Sequence, residues 1–418
     1  MQYDKLIEDI FRRHPSVQNT GFTGASYKAG IESMQEFDAA LGSPWESCPC
    51  IHVAGTNGKG SVSSMLAVGW AAAQGGPVGL FTSPHLLDFR ERIKVIRSEG
   101  DLHYEMIPRE DVMLFLETYE KQIEHLSFFE ITTGMAFWWF RKIGAKGAVI
   151  EVGLGGRLDS TNIITPVLSV ITSIGLDHCA MLGSTRALIA GEKAGIIKPG
   201  VPAVIWAEDE ETAPVFRARA DEAGAPLYAA NKVCPALPSV ELDLKGEYQD
   251  INLRTALASL KVLDIRADLE AISHTARISG LRGRWEILSD RPLTICDIGH
   301  NPAALRYNFR QLASYGKKMY IVYGIMRDKA LEDIAPLMPS EAKYFLCAPA
   351  GKRAMPVEEL YRRLHAARPD LSLTACPADG AEGSVKSAWK KAKAQAGPDD
   401  LIYIGGSNFV VAEALEGH

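Results

Sequence analysis

Short apolar runs that end in glycine or polar residues alternate along the chain with longer segments of helical periodicity. This alternation is typical of domains in which strands and helices follow each other. Several of the runs are apolar on both faces, as the buried strands of a parallel sheet must be. The predicted strands of the first two thirds of the chain are Cys50–Ala54, Val78–Thr82, Ala148–Val152, Leu168–Ile174 and Ala203–Trp206.

A second series of apolar runs begins after Ser279–Asp290, a segment rich in glycine, arginine and acidic residues. We therefore predict a domain boundary near Ser289–Arg291, with one α/β domain at residues 1–289 and a smaller one at residues 290–418. The predicted strands of the second domain are Leu293–Asp297, Met319–Tyr323, Tyr344–Cys347 and Leu401–Ile404.

Composition excludes several classes of function. The chain has 418 residues, of which 47% are hydrophobic and 23% charged, enough for two compact domains. Its net charge of -6 lacks the basic excess that nucleic acids or anionic membranes require of a partner. The seven scattered cysteines are expected to be reduced structural thiols. Neither a secretory signal nor a membrane-spanning run is recognisable, so we expect a cytoplasmic protein.

The strongest local motif joins a predicted strand to a predicted helix. Glycines in such a turn let backbone N–H groups face a phosphate, while the helix start and a lysine add positive charge. Here the lysine is separated from the following serine by an additional glycine, which departs from the usual order. The pattern favours phosphate binding, and a flexible glycine turn is the alternative. The residues concerned are Gly55, Thr56, Asn57, Gly58, Lys59, Gly60 and Ser61, followed by helical periodicity from Val62 to Ala73.

The turn sequence Gly-Thr-Asn-Gly-Lys-Gly-Ser resembles the phosphate loop of the Mur ligase superfamily. Thr82–Leu86 and Phe89–Ile93 resemble its folylpolyglutamate synthase and dihydrofolate synthase branch, and so do Glu151–Asp159 and Glu192–Gly200. The likeness runs from the N-terminal helix to the last strand. It implies a P-loop NTPase-like parallel-sheet domain, a smaller Rossmann-like α/β domain, and an ATP-dependent carboxylate–amine ligase of folate biosynthesis and one-carbon metabolism.

Two residues at predicted strand ends are candidates for a metal site. Glu151 closes one apolar strand and His178 follows the next, and the carboxyl ends of parallel strands are where α/β sheets bind ligands. A glutamate paired with Arg157 and a hydrogen-bonded structural histidine are the alternatives. The resemblance implies that Ser83, Glu151 and His178 hold Mg²⁺, with K⁺ as a further candidate cation. It also implies that Lys193 is carbamylated, which requires a lowered pKa because only the unprotonated amine reacts.

A second set of residues is assigned to the substrate by the same resemblance. Aromatic rings beside a carboxylate would suit a flat heterocycle with amide donors. Packing of two of these rings against Trp138 and Trp139 is the alternative. The set comprises Ser127, Phe128, Phe129, Glu130, Leu158, Asp159 and Ser160.

Three more residues are assigned to ATP by resemblance, namely Asn252, Arg284 and Asp297. Without the resemblance, Asn252 would be a helix-start or surface residue and Arg284 a solvated cation. Asp297 would satisfy backbone donors in a turn between a strand and a helix.

The resemblance makes Lys59, Lys193 and His300 catalytic. It implies that ATP, lying between the domains, phosphorylates a carboxylate of folate or dihydropteroate and that the amine of L-glutamate displaces the phosphate. Near the end of the chain Asn408 replaces an apolar residue of the family pattern, which affects local contacts only.

Two other functions compete with this prediction. A peptidoglycan Mur ligase would need a uridine-nucleotide-binding domain before the phosphate loop, where this sequence has only about fifty residues. A non-catalytic nucleotide-binding regulator would keep the loop without needing Lys193, His178 or His300. The expected partners are small molecules only, namely ATP, L-glutamate and folate or dihydropteroate, and the expected state is a monomer.

Overall fold

The computed structural model describes residues 2–14, 30–379 and 383–416 and divides the chain into two compact units. The first unit holds Met1–Asp243 and Gln249–Leu281, and the second holds Leu244–Tyr248 and Arg282–His418. The predicted boundary near Ser289–Arg291 therefore lies too late in the chain. The reason is a strand at Glu286–Asp290 that pairs antiparallel with the first predicted strand of the second domain.

The first unit is built on an eight-stranded sheet. Its strands are β1 Cys50–Ala54, β2 Val78–Phe81, β3 Ile93–Arg97, β4 His103–Met106, β5 Gly147–Glu151, β6 Leu168–Ile171, β7 Ala203–Ile205 and β8 Leu227–Ala229. Their order across the sheet is β4-β3-β2-β5-β1-β6-β7-β8; the β2–β3 and β3–β4 pairings are antiparallel, and the other described pairings of this sheet are parallel. The interior strands are buried along their whole length, which accounts for their continuous apolar sequences.

All five strands predicted for the first domain are present, with ends shifted by a few residues. The largest shift is in β6, which ends at Ile171 because the next two residues turn toward the loop after β1. There the hydroxyl groups of Thr172 and Ser173 donate to the carbonyl oxygen of Asn57, at 2.8 and 3.1 Å. Strands β3, β4 and β8 were not predicted.

Helices cover the sheet of the first unit, and the most buried of them is the helix that follows β1. These helices are α1 Gln2–Arg13, α2 Glu32–Ala40, α3 Lys59–Gln74, α4 Arg109–Thr118, α5 Glu120–Ile123, α6 Phe128–Lys142, α7 Cys179–Leu182, α8 Arg186–Ala194, α9 Ala213–Ala223, α10 Ala230–Val233, α11 Gln249–Val262, α12 Leu269–Ser273 and α13 Thr275–Ser279. Helix α3 is buried from Gly60 to Ala71, and Gly69 allows Leu260 of α11 to approach its backbone closely. Helix α11 is thereby fixed beside the helix that starts at the phosphate loop.

The second unit is a six-stranded sheet with the order β13-β12-β11-β14-β10-β9. Its strands are β9 Glu286–Asp290, β10 Leu293–Asp297, β11 Met319–Tyr323, β12 Lys343–Leu346, β13 Ser372–Ala375 and β14 Leu401–Gly405. Its helices are α14 Pro302–Ser314, α15 Leu331–Ile334, α16 Val357–Ala367, α17 Ser384–Gln395 and α18 Asn408–Leu415. All pairings except that of β9 are parallel, so the predicted fold class of two successive α/β domains is confirmed.

Leu244–Tyr248 joins the second unit through hydrogen bonds to α14 and to the end of β10. The side-chain amide of Gln311 donates to the carbonyl oxygen of Lys245 (3.0 Å) and accepts from the backbone N–H of Glu247 (2.8 Å). The hydroxyl of Tyr248 donates to Asp297 at 2.5 Å. The chain thus enters the second unit, returns to the first for α11 to α13, and then leaves it again.

All seven cysteines have free thiols, as predicted. Within the described ranges, none of the helices combines the length and apolarity needed to cross a bilayer.

Candidate active site

The parallel sheet of the first unit brings four predicted segments to one edge. Ser83 comes shortly after β2, Glu151 is the last residue of β5, the glycine loop follows β1, and His178 lies in the segment after β6. These strands are neighbours in the order β2-β5-β1-β6, and Val53 of β1 lies directly beside Glu151. Since parallel strands end at the same edge, Glu151 and the segment carrying His178 flank the glycine loop on its two sides.

The glycine loop is held by the segment that follows β6. The backbone N–H of Thr56 donates to the carbonyl oxygen of Ser173 at 2.9 Å, and the hydroxyl of Thr56 donates to that of Gly175 at 3.1 Å. Together with the bonds from Thr172 and Ser173 to the carbonyl oxygen of Asn57, these contacts hold the loop against the segment after β6. The loop therefore has a fixed backbone before any ligand binds.

Lys59 begins α3 and folds back over its own loop. Its ammonium group donates to the carbonyl oxygens of Gly55 (3.0 Å) and Thr56 (3.4 Å), so its positive charge lies above the loop. Gly58 precedes it with φ of 91°, a left-handed conformation that favours glycine. The charge, the glycines and the start of α3 form the arrangement that a polyphosphate requires.

Gln249 supports this loop and was missed as a functional residue from the sequence. It is buried, its side-chain N–H donates to the hydroxyl of Ser61 at 3.2 Å, and its oxygen accepts from the amide of Asn252 at 2.8 Å. Asn252 is also buried, in the first turn of α11, and its oxygen nearly touches Gly58. The i, i+3 spacing of these two polar residues at the start of an otherwise apolar helix could have predicted that their side chains lie on the same face of α11.

Lys193 lies in the last turn of α8 and is buried, with 4% of its surface exposed. Its pKa is lowered from 10.5 to about 7, mainly by burial and also by the charge of Lys59, while Asp177, Asp159 and Glu192 act in the opposite direction. An amine with this pKa is about half unprotonated at pH 7, and the unprotonated form can attack CO₂. The environment therefore meets the requirement that carbamylation places on this lysine.

Glu151 is buried, and its negative charge acts on the guanidinium of Arg92. The pKa of Arg92 is lowered to about 10 because its burial outweighs the opposing negative charges of Glu151 and Glu91. Arg92 also donates to the ring of His85 at 2.8 Å. Arg157, the partner considered for Glu151, forms its ion pair with Glu192 at 2.9 Å.

The predicted metal ligands offer a carboxylate, a hydroxyl and an imidazole. His178 has φ of 53°, its backbone N–H donates to Asp177 at 2.8 Å, and its ring is 3.8 Å from the same carboxylate. In the part of the chain that the structure describes, no three His, Cys, Asp or Glu side chains converge on a metal-sized site. The donor set fits Mg²⁺, which takes few protein ligands and completes its shell with phosphate oxygens and water. Ser83, Glu151 and His178 would hold it, and the ion would supply positive charge to offset that of the phosphates.

Ser127 and Glu130 form the N-terminal cap of α6. The hydroxyl of Ser127 accepts from the backbone N–H of Glu130 at 3.2 Å, and the carboxylate of Glu130 accepts from that of Ser127 at 2.7 Å. The hydroxyl of Ser33 also donates to Glu130. This reciprocal arrangement is a capping box, so both side chains have a structural role at the positions assigned to the substrate.

Phe128 and Phe129, which lie between Ser127 and Glu130 in the sequence, contact different neighbours. Phe128 stacks on Phe11 with centroids 4.3 Å apart, and the guanidinium of Arg92 lies 5.1 Å from its centroid. Phe129 lies against Phe81 and covers Gly153, where a Cβ would be 2.5 Å from its ring. Trp138 and Trp139, the packing partners considered from the sequence, instead contact Phe115 and Phe140.

Asp159 shapes the glycine-rich segment after β5. Its buried carboxylate accepts from the backbone N–H groups of Leu154 (2.8 Å) and Thr161 (3.0 Å) and from the hydroxyl of Thr161 (2.5 Å). Burial raises its pKa, and these hydrogen bonds oppose the rise. Leu158 and Ser160 flank it and are partly exposed.

In the second unit, Asp297 is the centre of a buried hydrogen-bond network. One carboxylate oxygen accepts from the backbone N–H of Gly299 (2.8 Å) and the amide of Asn308 (2.7 Å). The other accepts from the hydroxyl of Tyr248 (2.5 Å) and the backbone N–H of Trp285 (2.9 Å). Asp297 thus satisfies backbone donors, which is the structural role considered as the alternative from the sequence. It also accepts hydrogen bonds from the side chains of Asn308 and Tyr248.

The same network positions the other two predicted residues of the second unit. Trp285 follows Arg284 directly, and the guanidinium of Arg284 donates to the carbonyl oxygen of Arg282 at 3.0 Å. The ring of His300 lies 3.0 Å from the carbonyl oxygen of Ile298, one residue after Asp297. Asp297 therefore links the backbone segments that carry Arg284 and His300.

The second unit matches the family model "Mur ligase, glutamate ligase domain" over residues 283–408. Joined to a first unit with a phosphate loop at the edge of its parallel sheet, this domain defines a Mur-type ligase. The chain is 31% identical over 406 residues to the dihydrofolate synthase/folylpolyglutamate synthase of Escherichia coli, covering 93% of this chain and 90% of that protein. The chain belongs to the folylpolyglutamate synthase/dihydrofolate synthase family.

Another relative is the folylpolyglutamate synthase of Lacticaseibacillus casei, 30% identical over 89% of this chain and 90% of that protein. The probable bifunctional folylpolyglutamate synthase/dihydropteroate synthase of Haloferax volcanii is 32% identical over 93% of this chain, which spans about half of that protein (48%). Among solved structures, E. coli FolC in complex with DHPP and ADP superposes with a TM-score of 0.82 at 29% identity, covering 99% of this chain and 97% of that one. A bifunctional folylpolyglutamate synthase/dihydrofolate synthase with Mn, AMPPNP and L-glutamate bound gives 0.81 at 28% identity, with 99% and 97% covered.

Proposed function

We propose that this chain adds L-glutamate to folate, and also to dihydropteroate, in an ATP-dependent reaction that passes through an acyl phosphate. A carboxylate oxygen of the substrate attacks the γ-phosphorus of ATP, and ADP leaves. The glutamate amine then attacks the acyl carbon, an amide bond forms, and inorganic phosphate leaves with a proton lost from the amine.

The observation that carries this proposal is the convergence at one sheet edge of the phosphate loop, Ser83, Glu151 and the segment with His178. In phosphoryl transfer the protein contributes mainly positioning and charge. The loop binds the polyphosphate, and Lys59 already places a cation over it. A related structure binds Mn and AMPPNP, which supports ATP and a divalent cation here. We also propose K⁺ as a second bound cation, in addition to Mg²⁺.

Lys193 has the environment of a lysine that reacts with CO₂. Its amine is buried close to Lys59 and three carboxylates. Addition of CO₂ forms an N–C bond and releases a proton, which replaces a buried amine with an anion. That anion compensates the charge of Lys59 and lies on the side of the site where the metal is proposed to bind.

The identity of the substrates rests on the relatives. DHPP and ADP are bound in one of the similar structures and L-glutamate in another. In this chain we assign the pterin end to the surface around Phe128 and Phe129, where aromatic rings and the caps of α6 are in place. Leu158, Asp159 and Ser160 complete this surface in the proposal. The second unit contributes Arg284 and Asp297 to ATP and His300 to the glutamate amine.

The test is ADP release by the purified chain with ATP, Mg²⁺ and L-glutamate. Folate, tetrahydrofolate and dihydropteroate are supplied one at a time, and mass spectrometry identifies the amide product. We expect ADP and product in equal amounts with at least one of these acceptors. If none of the three acceptors leads to ADP formation, the proposal is contradicted.

The same assay separates the two competing functions. A uridine-nucleotide muropeptide as acceptor tests the peptidoglycan ligase, and we expect no product. Lys193→Ala tests the non-catalytic regulator, and we expect turnover to be lost while nucleotide binding remains. We further propose that the enzyme acts as a monomer in the cytoplasm with small-molecule substrates, and size-exclusion chromatography during turnover conditions tests the first part.

A further inference from the structure

Asn162 links the glycine-rich segment after β5 to the end of the helix that carries Lys193. It is buried, and its side-chain N–H groups donate to the carbonyl oxygens of Arg157 (2.9 Å) and Gly195 (3.2 Å). Gly195 is the residue after the last turn of α8, two positions beyond Lys193. One amide therefore fixes the distance between the two backbone segments.

The approach of these segments is as close as glycine permits. A Cβ at Gly195 would lie 2.4 Å from the Cβ of Arg157 and 2.5 Å from its Cα. A Cβ at Gly156 would lie 2.8 Å from the carbonyl oxygen of Glu192 and 3.1 Å from the Cα of Lys193. The backbone of Lys193 thus rests directly on the segment that Asn162 holds.

Asn162 is itself held in place from two sides. Its backbone N–H donates to the backbone carbonyl oxygen of Asp159 at 2.8 Å, and the ammonium group of Lys198 donates to the carbonyl oxygen of Asn162 at 2.8 Å. Its side-chain oxygen, by contrast, is buried and accepts no hydrogen bond from the described residues. A buried acceptor without a partner costs stability. The Asn162 side chain therefore stabilises the fold through its two donated hydrogen bonds, to Arg157 and Gly195.

We propose that Asn162 is a positioning residue for Lys193: its amide locks the end of α8 against the glycine-rich segment and so fixes where the lysine amine enters the site. The inference deepens the proposed function, on which it rests. It predicts that loss of the amide displaces the amine without touching ATP, metal or folate.

The test compares Asn162→Ala with Leu364→Ala, a control that truncates a fully buried side chain in the core of the second unit. Both variants are first brought to conditions where thermal melts show them folded. Potassium cyanate is the probe, because isocyanic acid adds to an unprotonated amine to give a stable urea and so mimics the addition of CO₂. Mass spectrometry gives the rate of modification at Lys193 and at exposed lysines, and ¹³C NMR in labelled bicarbonate detects the carbamate.

We expect Asn162→Ala to slow modification of Lys193 by about tenfold, with exposed lysines unchanged, and to lower kcat by about tenfold to a hundredfold. The KM for ATP should stay within about threefold, since the phosphate loop is untouched. Leu364→Ala should lower the melting temperature without changing either rate. A folded Asn162→Ala protein with the wild-type rate of modification and wild-type kcat overturns the inference.

Failure of the proposed function gives a different result. A wild-type protein that shows neither a carbamate resonance nor modification at Lys193 contradicts the proposed carbamylation. In that case the kcat values of Asn162→Ala and Leu364→Ala are the remaining test of the positioning role. A loss confined to Asn162→Ala supports it, and equal activity of both variants contradicts it.

Discussion

Burying Lys193 should make the protein less stable than a variant without the charge. Its pKa falls from 10.5 to about 7, a shift of roughly 3.5 units. At about 1.4 kcal/mol per unit, the folded state loses about 5 kcal/mol relative to an unperturbed lysine when both states are protonated. Lys193→Met removes this cost and keeps most of the buried volume. We expect the variant to be more stable by several kcal/mol at pH 6.5 and to have no ligase activity.

The sign of the pH dependence follows from the lowered pKa. Between pH 7 and 10.5 the unfolded chain holds a proton on this lysine that the folded chain does not, so wild-type stability rises with pH. The advantage of Lys193→Met should shrink accordingly, from about 5 kcal/mol below pH 7 to about 2 kcal/mol at pH 9. Part of the wild-type stability is thus given up for a reactive amine.

Urea unfolding followed by tryptophan fluorescence at pH 6.5 and pH 9, in buffer freed of CO₂, measures this difference. Lys121→Met is the control, because Lys121 is exposed on α5 and the same chemical change there should have little effect at either pH. Removal of CO₂ matters because a carbamate would stabilise only the folded wild type. A Lys193→Met protein that is less stable than wild type at pH 6.5, or whose advantage does not depend on pH, refutes the reasoning.

Three further predictions test other parts of the site. Gly58→Ala should abolish ATP binding in calorimetric titrations, since its Cβ would lie 2.2 Å from the oxygen of Asn252 and φ at this position is 91°; wild-type affinity would contradict the geometry of the loop. Tyr248→Phe should destabilise the second unit by about 2 kcal/mol in urea unfolding, because the carboxylate of Asp297 loses one buried donor; an unchanged midpoint would show that this bond contributes nothing. Removal of divalent metal with EDTA should stop ADP release, and added Mg²⁺ or Mn²⁺ should restore it; turnover at full rate in EDTA would exclude the proposed metal site.

The sequence was sufficient to predict the buried parallel strands, because a short apolar run between glycine turns is typical of a buried strand. It was insufficient where a strand is polar. In β3 the buried ammonium of Lys94 is satisfied by the carbonyl oxygen of Ser279, a residue far away in the chain. Strand β9 carries Glu286, Ser289 and Asp290, so its sequence resembles the charged segment between the two apolar series, and the predicted boundary lies too late.

The placement of candidate residues was predictable where they directly follow or end a strand, as at Glu151 and the glycine loop. It was not predictable where a side chain acts on another side chain. Gln249 and Asn162 have no motif of their own, and their roles depend on which backbone they reach across the fold. The roles of Ser127 and Glu130 as helix caps could have been predicted from their i, i+3 spacing, which matches a capping box.

The excursion of Leu244–Tyr248 into the second unit has a consequence for dissecting the protein. A fragment that starts at Arg282 would lack this stretch, leaving Gln311 without two hydrogen bonds and Asp297 without the tyrosine donor. Truncation at the apparent domain border should therefore yield a poorly folded product. During translation, the piece that completes the C-terminal half emerges from the ribosome before the last helices of the N-terminal half.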